Sequence, residues 1–231
     1  MDEAEFDRFA DEYRAIHVPN IAITGEGPEY FAEYKMRDLA DAYRAYHGKA
    51  QPRVLDFGSG VGTSVPFLRK YLPRSIITCL DVSAKSLTIG KAKFGAFANF
   101  VQFDGTTIPS FEHPMDIAFA ACVFHHIAHA EHVPLLSQIR HALAPNGLGF
   151  VFEHNPLNPL TVRAVNTCPF DENAKLIFAR TMRQRFLDAG FRKAHIRYRM
   201  FFPHFLRCLR PLEKWLTWLP FGAQYYVVAT R

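Results

Sequence analysis

No apolar run in the 231 residues approaches the roughly 18 that a membrane-crossing helix needs, so no such span is expected. Cysteine is scarce. Cys79, Cys122, Cys168 and Cys208 lie far apart and form no Cys-x-x-Cys pair, which argues for free thiols in a reducing cytoplasm. The first residues, Met1-Asp2-Glu3-Ala4-Glu5, are acidic and unlike a signal peptide. There is no internal repeat, low-complexity run or linker, and one domain is expected over 1–231. No Gly-Lys-Ser/Thr follows a glycine loop, which excludes a P-loop.

The formal charge is +5, unevenly spread. The first forty residues are acid-rich. Between Arg180 and Lys214 ten Arg and Lys stand against only Asp188 and Glu213, which suits either a solvated face or an anionic partner.

The chain is organised around Val54-Leu55-Asp56-Phe57-Gly58-Ser59-Gly60-Val61-Gly62-Thr63. Val54 and Leu55 end an apolar run that suits a buried strand. Glycines at alternate positions let backbone turn sharply and approach a ligand. Val65, Leu68 and Leu72 then recur at helical spacing. Strand, glycine loop and helix make the front of a nucleotide-binding β-α-β unit. A dinucleotide loop would have glycine where Thr63 stands. Asp56 would repel a phosphate and favour an ammonium group. The expected ligand is therefore cationic near the loop and carries a ribose, as S-adenosylmethionine does.

At these residues the sequence resembles the class I S-adenosylmethionine-dependent methyltransferases, over roughly Val54 to Asn155. The resemblance implies a Rossmann-like α/β fold, a doubly wound, mostly parallel seven-stranded sheet whose last two strands pair antiparallel. It divides the domain into an N-terminal helical cap (1–50), a cofactor-binding core (51–156) and an acceptor-side part (157–231). Gly58, Ser59 and Gly60 form the loop. Asp81, followed by Val82, stands about 20 residues beyond it, where an acid can accept the ribose hydroxyls. Asp104 and Gly105 are expected beside the adenine, although Asp-Gly is also a common turn. Backbone at Cys122 is implied to lie beside the methionine part. Helices over residues 3–16 and 29–47, ending at Gly48, are expected to cover the cleft, with Tyr13 and Tyr30 either touching the ligand or serving as core aromatics.

Strands are expected over 75–80, 99–103, 116–122, 148–153, 194–201 and 224–230, with helices at 133–143 and 181–189. Residues 155–171 read as an active-site loop. His154, and second His126, are the candidate general bases, because both follow strand ends on the cofactor side. No metal is expected at His125, His126, His129 and His132, which lack a carboxylate-rich motif. The activity implied is in-line methyl transfer, O-methylation foremost, to a small-molecule, sugar-nucleotide, glycan or lipid-linked acceptor. No Asn-Pro-Pro-Tyr or RNA-binding motif supports a nucleic-acid acceptor. Two alternatives are a non-catalytic cofactor-binding or membrane-surface module and an NAD-dependent oxidoreductase. The insertion 202–222 has an apolar row, Phe205, Leu209, Leu212, Leu216 and Leu219, with Trp215 and Trp218 and flanking Arg207, Arg210 and Lys214. It suits either packing on the sheet as core or peripheral membrane contact, and Pro203, Pro211 and Pro220 limit it to short helical pieces.

Overall fold

The computed structural model describes residues 25–46, 50–171 and 173–231, without the side chain of Phe170. The helix read over 3–16, Tyr13 and the stop at Gly48 lie outside the described residues. Helix α1 (Pro28–Tyr46) precedes β1 (Arg53–Phe57), α2 (Val65–Tyr71), β2 (Ile76–Asp81), α3 (Ala84–Phe94), β3 (Ala98–Gln102), β4 (Met115–Ala121), α4 (His132–Ala142) and β5 (Leu143–His154). Then come α5 (Pro159–Asn166), α6 (Ala179–Asp188), β6 (Lys193–Arg199), the single turn α7 (Glu213–Leu216) and β7 (Gln224–Thr230).

The strands form one sheet in the order β3-β2-β1-β4-β5-β7-β6. The first five are parallel, and β7 runs antiparallel between β5 and β6. The apolar runs are near-continuous because both faces are covered. Along β5 and β4 the pleat sends Phe150, Phe152, Ile117 and Phe119 to one core, under α1 and α2. It sends Val151, Ala118 and Ala120 to the other, against Leu135, Leu136 and Ile139 of α4 and Met182 and Phe186 of α6.

Local signals set the element ends. Ser83 caps α3 by accepting from the Ser86 amide. Gly190, at φ +89, stops α6, and its amide donates to the Leu187 carbonyl. Asn146 takes the positive φ expected of the turn before the core of β5, at +65. The segment 155–171 is more ordered than a loop. Its Asn and Pro residues are helix-start signals: Asn158 accepts from the Thr161 amide and Pro159 is the first residue of α5. Turn chemistry and N-cap chemistry use the same residue types, so the sequence reading took a helix for a loop.

Phe150 is buried at 1% exposure and stacks on Phe152, with ring centroids 6.1 Å apart. Phe150→Ala is expected to cost about 3–5 kcal/mol, read as a shift of the urea midpoint at unchanged slope.

Candidate functional site

The parallel strands end at one edge of the sheet, where the glycine loop leaves β1. The Gly58 and Ser59 amides donate to the Leu80 carbonyl at 2.8 and 3.1 Å, so the loop crosses the tip of β2. Asp81 holds it there. One carboxylate oxygen accepts from the Gly60 amide at 2.7 Å, and the other from the Ser83 amide at 2.9 Å. Ser83, not Asp81, caps α3, which leaves Asp81 to the loop.

The glycines differ in purpose. At Gly58, with φ +74, a Cβ would lie 2.5 Å from a Val123 methyl, so packing itself demands glycine. At Gly60, with φ +52, a Cβ would meet nothing within 4 Å, so this part of the loop is open to a ligand. Ser59 is buried, near the Cys79 thiol.

Asp56 is 2% exposed, and its carboxylate accepts from the Ser64 hydroxyl. Burial raises its pKa to about 7; the Ser64 bond pulls against this and the Asp81 charge adds to it. Val82 packs in the core. Asp104 is exposed, and its Oδ1 accepts from the Thr106 and Thr107 amides at 2.8 and 2.6 Å and from the Thr106 hydroxyl at 2.9 Å. Asp104 therefore builds the turn that the sequence also allowed. Gly105 beside it is buried, at φ +82.

A second polar cluster covers the ends of β4 and β5. Cys122 follows β4 at φ +60, and its amide continues the ladder to the Phe152 carbonyl at 2.8 Å. The Lys35 ammonium from α1 lies 3.2 Å from its sulfur, and His154 hydrogen-bonds the thiol. Burial would raise the Cys122 pKa, but the Lys35 charge and His154 outweigh it and lower it to about 6. His154 Nδ1 also meets the Gln224 amide at 3.4 Å, and Gln224 accepts from the Tyr34 hydroxyl.

Beside these, His125 is enclosed by carboxylates. Its Nδ1 is 2.5 Å from Glu153 and its Nε2 3.3 Å from Asp171. Burial favours the neutral ring, yet the Glu153 charge and the hydrogen bonds that the ring donates to both carboxylates raise the pKa, so His125 is an imidazolium. His126 Nε2 faces the same Asp171 oxygen at 3.6 Å. Burial and the neighbouring His125 charge lower the His126 pKa to about 4, so it is neutral at physiological pH. His129 and His132 stand apart, with His132 Nε2 on the Ile127 carbonyl at 3.0 Å. Ligand-type atoms of His125, His126 and Asp171 lie within 4.8 Å of one another. Both His125 nitrogens face carboxylates, however, and a cation there would have to displace the proton between them.

Lys35, Asp171 and Gln224 were missed in the sequence. Lys35 had a signal: it interrupts the row Phe31, Leu39 and Tyr43 at four-residue steps. Asp171 and Gln224 had none, because only folding brings them to the edge. Tyr30 lies under the Arg210 guanidinium at 4.6 Å, away from the glycine loop's partners. Of the basic segment, Arg183 donates to the Ala194 carbonyl, Arg199 pairs with Asp38 and Arg210 with Glu26, so part of that charge is structural.

A glycine loop open at Gly60, two carboxylates on one side and a buried ammonium on the other fit S-adenosylmethionine. The fold is that of the class I S-adenosylmethionine-dependent methyltransferases. Residues 55–148 match the family model described as a methyltransferase domain. Among solved structures, the chain is similar to a methyltransferase of Thermotoga maritima described as a possible histamine N-methyltransferase, at 15% identity and TM-score 0.67, over 99% of this chain and 98% of that one. It is similar to the plantazolicin methyltransferase BpumL, in complex with S-adenosylhomocysteine, at 15% identity and TM-score 0.66, over 99% and 96%. It is also similar to a methyltransferase of Archaeoglobus fulgidus, at 18% identity and TM-score 0.62, over 86% and 94%. No curated protein matches.

The Asp56 carboxyl is testable without ligand. Its folded pKa, about 7, exceeds the unfolded value of about 3.9. Between these values the folded chain holds a proton that the unfolded chain has lost, so this group's contribution to stability falls as pH rises through the window. Asp56→Asn removes that dependence and can still accept from Ser64. The thermal midpoint of the variant relative to the parent should therefore climb between about pH 4 and about pH 7. A difference that stays flat would mean that Asp56 is ionised throughout.

Proposed function

We propose that the chain transfers a methyl group from S-adenosylmethionine to a hydroxyl oxygen of an acceptor held over the ends of β4 and β5, with His126 as general base. The acceptor is a small molecule or a glycan, free, nucleotide-linked or lipid-linked. The observation that carries this reading is the half-buried pair of neutral His126 and ionised Asp171 at the strand ends, 3.6 Å apart.

The cofactor supplies an electrophilic methyl group on a sulfonium. The glycine loop, Gly58 to Gly60 with Ser59, would hold it. Asp81 would accept from its ribose, Asp56 would face its ammonium and Lys35 its carboxylate. Val82, Asp104 and Gly105 would border the nucleoside, and Cys122 backbone the methionine part. The protein contributes mainly positioning for in-line attack. As the acceptor oxygen bonds to the methyl carbon, the carbon–sulfur bond would break with its electron pair going to sulfur, so that S-adenosylhomocysteine leaves; the hydroxyl proton would pass to the ring nitrogen of His126 that faces away from Asp171, and the Asp171 carboxylate would stabilise the imidazolium. His154 is the second candidate for this role, but it is already engaged by Cys122 and Gln224. His125 is already protonated, so it holds Asp171 in place and takes no proton.

Two measurements test this. By calorimetry, S-adenosylmethionine and S-adenosylhomocysteine should bind and NAD should not, and Asp81→Ala should weaken cofactor binding by about 2–3 kcal/mol, as for lost hydrogen bonds to a charged group; unchanged affinity removes the ribose assignment. With labelled methyl donor and metabolite or lipid extracts as acceptor, His126→Ala should lower turnover by about 10²–10⁴-fold at unchanged cofactor affinity. Near-full turnover in that variant, with loss in His154→Ala instead, would exchange the two histidines.

A further inference from the structure

Eight of the twelve large apolar side chains that stand exposed among the described residues come from two short stretches, 157–160 and 205–221. The stretches are adjacent: Asn158 donates to the Phe221 carbonyl at 2.9 Å, and Asn155 to the Pro220 and Gly222 carbonyls at 2.9 and 2.7 Å. Together they expose Leu157, Leu160, Phe205, Trp215, Trp218 and Phe221, with Phe205 at 79% and Trp218 at 70%. That corrects the core reading of the insertion. Its 3₁₀ segment His204–Leu212 contains Pro211, breaks helical geometry at Leu206 and has no buried residue.

The insertion is held by polar contacts instead. Buried Glu213 accepts from the Phe201 and Phe202 amides at 3.0 and 3.1 Å, Thr217 accepts from the Tyr198 amide at 2.8 Å, and Arg210 pairs with Glu26 at 2.7 Å. These fix the backbone and leave the aromatic side chains outside. Within the insertion the exposed charge is basic. Glu213 is the only acid in 202–222 and is buried, whereas Arg163, Arg207 and Lys214 are exposed. An open cleft of about 1330 Å³ beside it, between α1, β6 and the insertion, adds Arg37 and Arg197, with Asp41 on its α1 wall.

An aromatic apolar patch edged by cations matches the interface of an anionic lipid leaflet: rings enter the headgroup boundary while Arg and Lys meet lipid phosphates. No described helix is long and apolar enough to cross a membrane, so contact would be from one side. We infer that the insertion and the start of α5 dock this protein on an anionic membrane surface. Asn155, which follows His154, ties the patch to the proposed site, so docking would bring that site close to an acceptor carried in the lipid; this last clause rests on the proposed function, and the docking does not.

Trp215 and Trp218 are the only tryptophans of the chain, so intrinsic fluorescence reports the patch alone. The full chain is mixed with phosphatidylglycerol-containing vesicles and with phosphatidylcholine vesicles, at about 0.1 M and about 1 M salt, where the Debye length falls from about 10 to about 3 Å. Anionic vesicles at low salt should shift the emission to the blue, allow quenching by bromine-labelled lipid chains and sediment the protein, each weakening at high salt. The triple variant Trp215→Ser, Trp218→Ser, Phe221→Ser should sediment about tenfold less, with cofactor affinity by calorimetry unchanged. Absence of quenching, equal binding to both vesicles, or a blue shift that grows with protein concentration without lipid would overturn the inference. Such a failure with cofactor binding intact leaves the methyltransferase reading standing, and loss of cofactor binding leaves docking standing.

Discussion

A buried carboxylate governs the β4 and β5 end of this sheet. Glu153, near the end of β5, has no exposed surface. An ionised carboxylate without partners in such a place would cost several kcal/mol. The partners it finds set the local architecture. One oxygen takes the Phe124 amide and so fixes the turn after β4; the other takes His125. His125 in turn reaches Asp171 through its other nitrogen, and its carbonyl accepts from the Lys175 amide. One buried charge thus orders two strand ends and a segment about twenty residues further along.

The cofactor edge is built by a different means. There the loop is held mostly by backbone amides on the Leu80 carbonyl and the Asp81 carboxylate. Backbone donors at positive φ give a surface that a ligand can approach closely, and they tolerate varied side chains at the non-glycine positions. Side-chain chemistry is concentrated instead at β4 and β5, where Cys122, His126 and His154 meet Lys35 of α1 and Asp171. One sheet edge therefore carries a backbone-built loop at β1 and β2 and a side-chain cluster at β4 and β5.

The insertion shows a third constraint. Its apolar spacing is that of a helix that could bury one face, but proline at 203, 211 and 220 removes amide donors and cuts the run into turns. Short turns cannot align a long apolar face with the sheet. Polar contacts through Glu213 and Arg210 fix the segment, and its rings remain outside.

Much of the fold was legible in residue order alone. Strand ends marked by Asp56, Asp81, Asp104 and the Cys122–His126 string, with helical spacing between them, specify the parallel core, because near-neighbour patterns of burial decide which segments are strands and helices. The glycine loop was legible for the same reason: its glycines and acids lie within a few residues of their strands. Contacts over long sequence separations were not. Whether Gly58 serves packing depends on Val123, whether Asp104 is held depends on Thr106 and Thr107, and whether His126 has an acid depends on Asp171. The pairing of Lys35 with Cys122 spans 87 residues, and that of Tyr34 with Gln224 spans 190. Local sequence determined the elements and the cofactor edge. Only tertiary structure decided the polar cluster at the ends of β4 and β5 and the exposed insertion, because buried charge and unpaired backbone find their partners wherever the folded chain brings them.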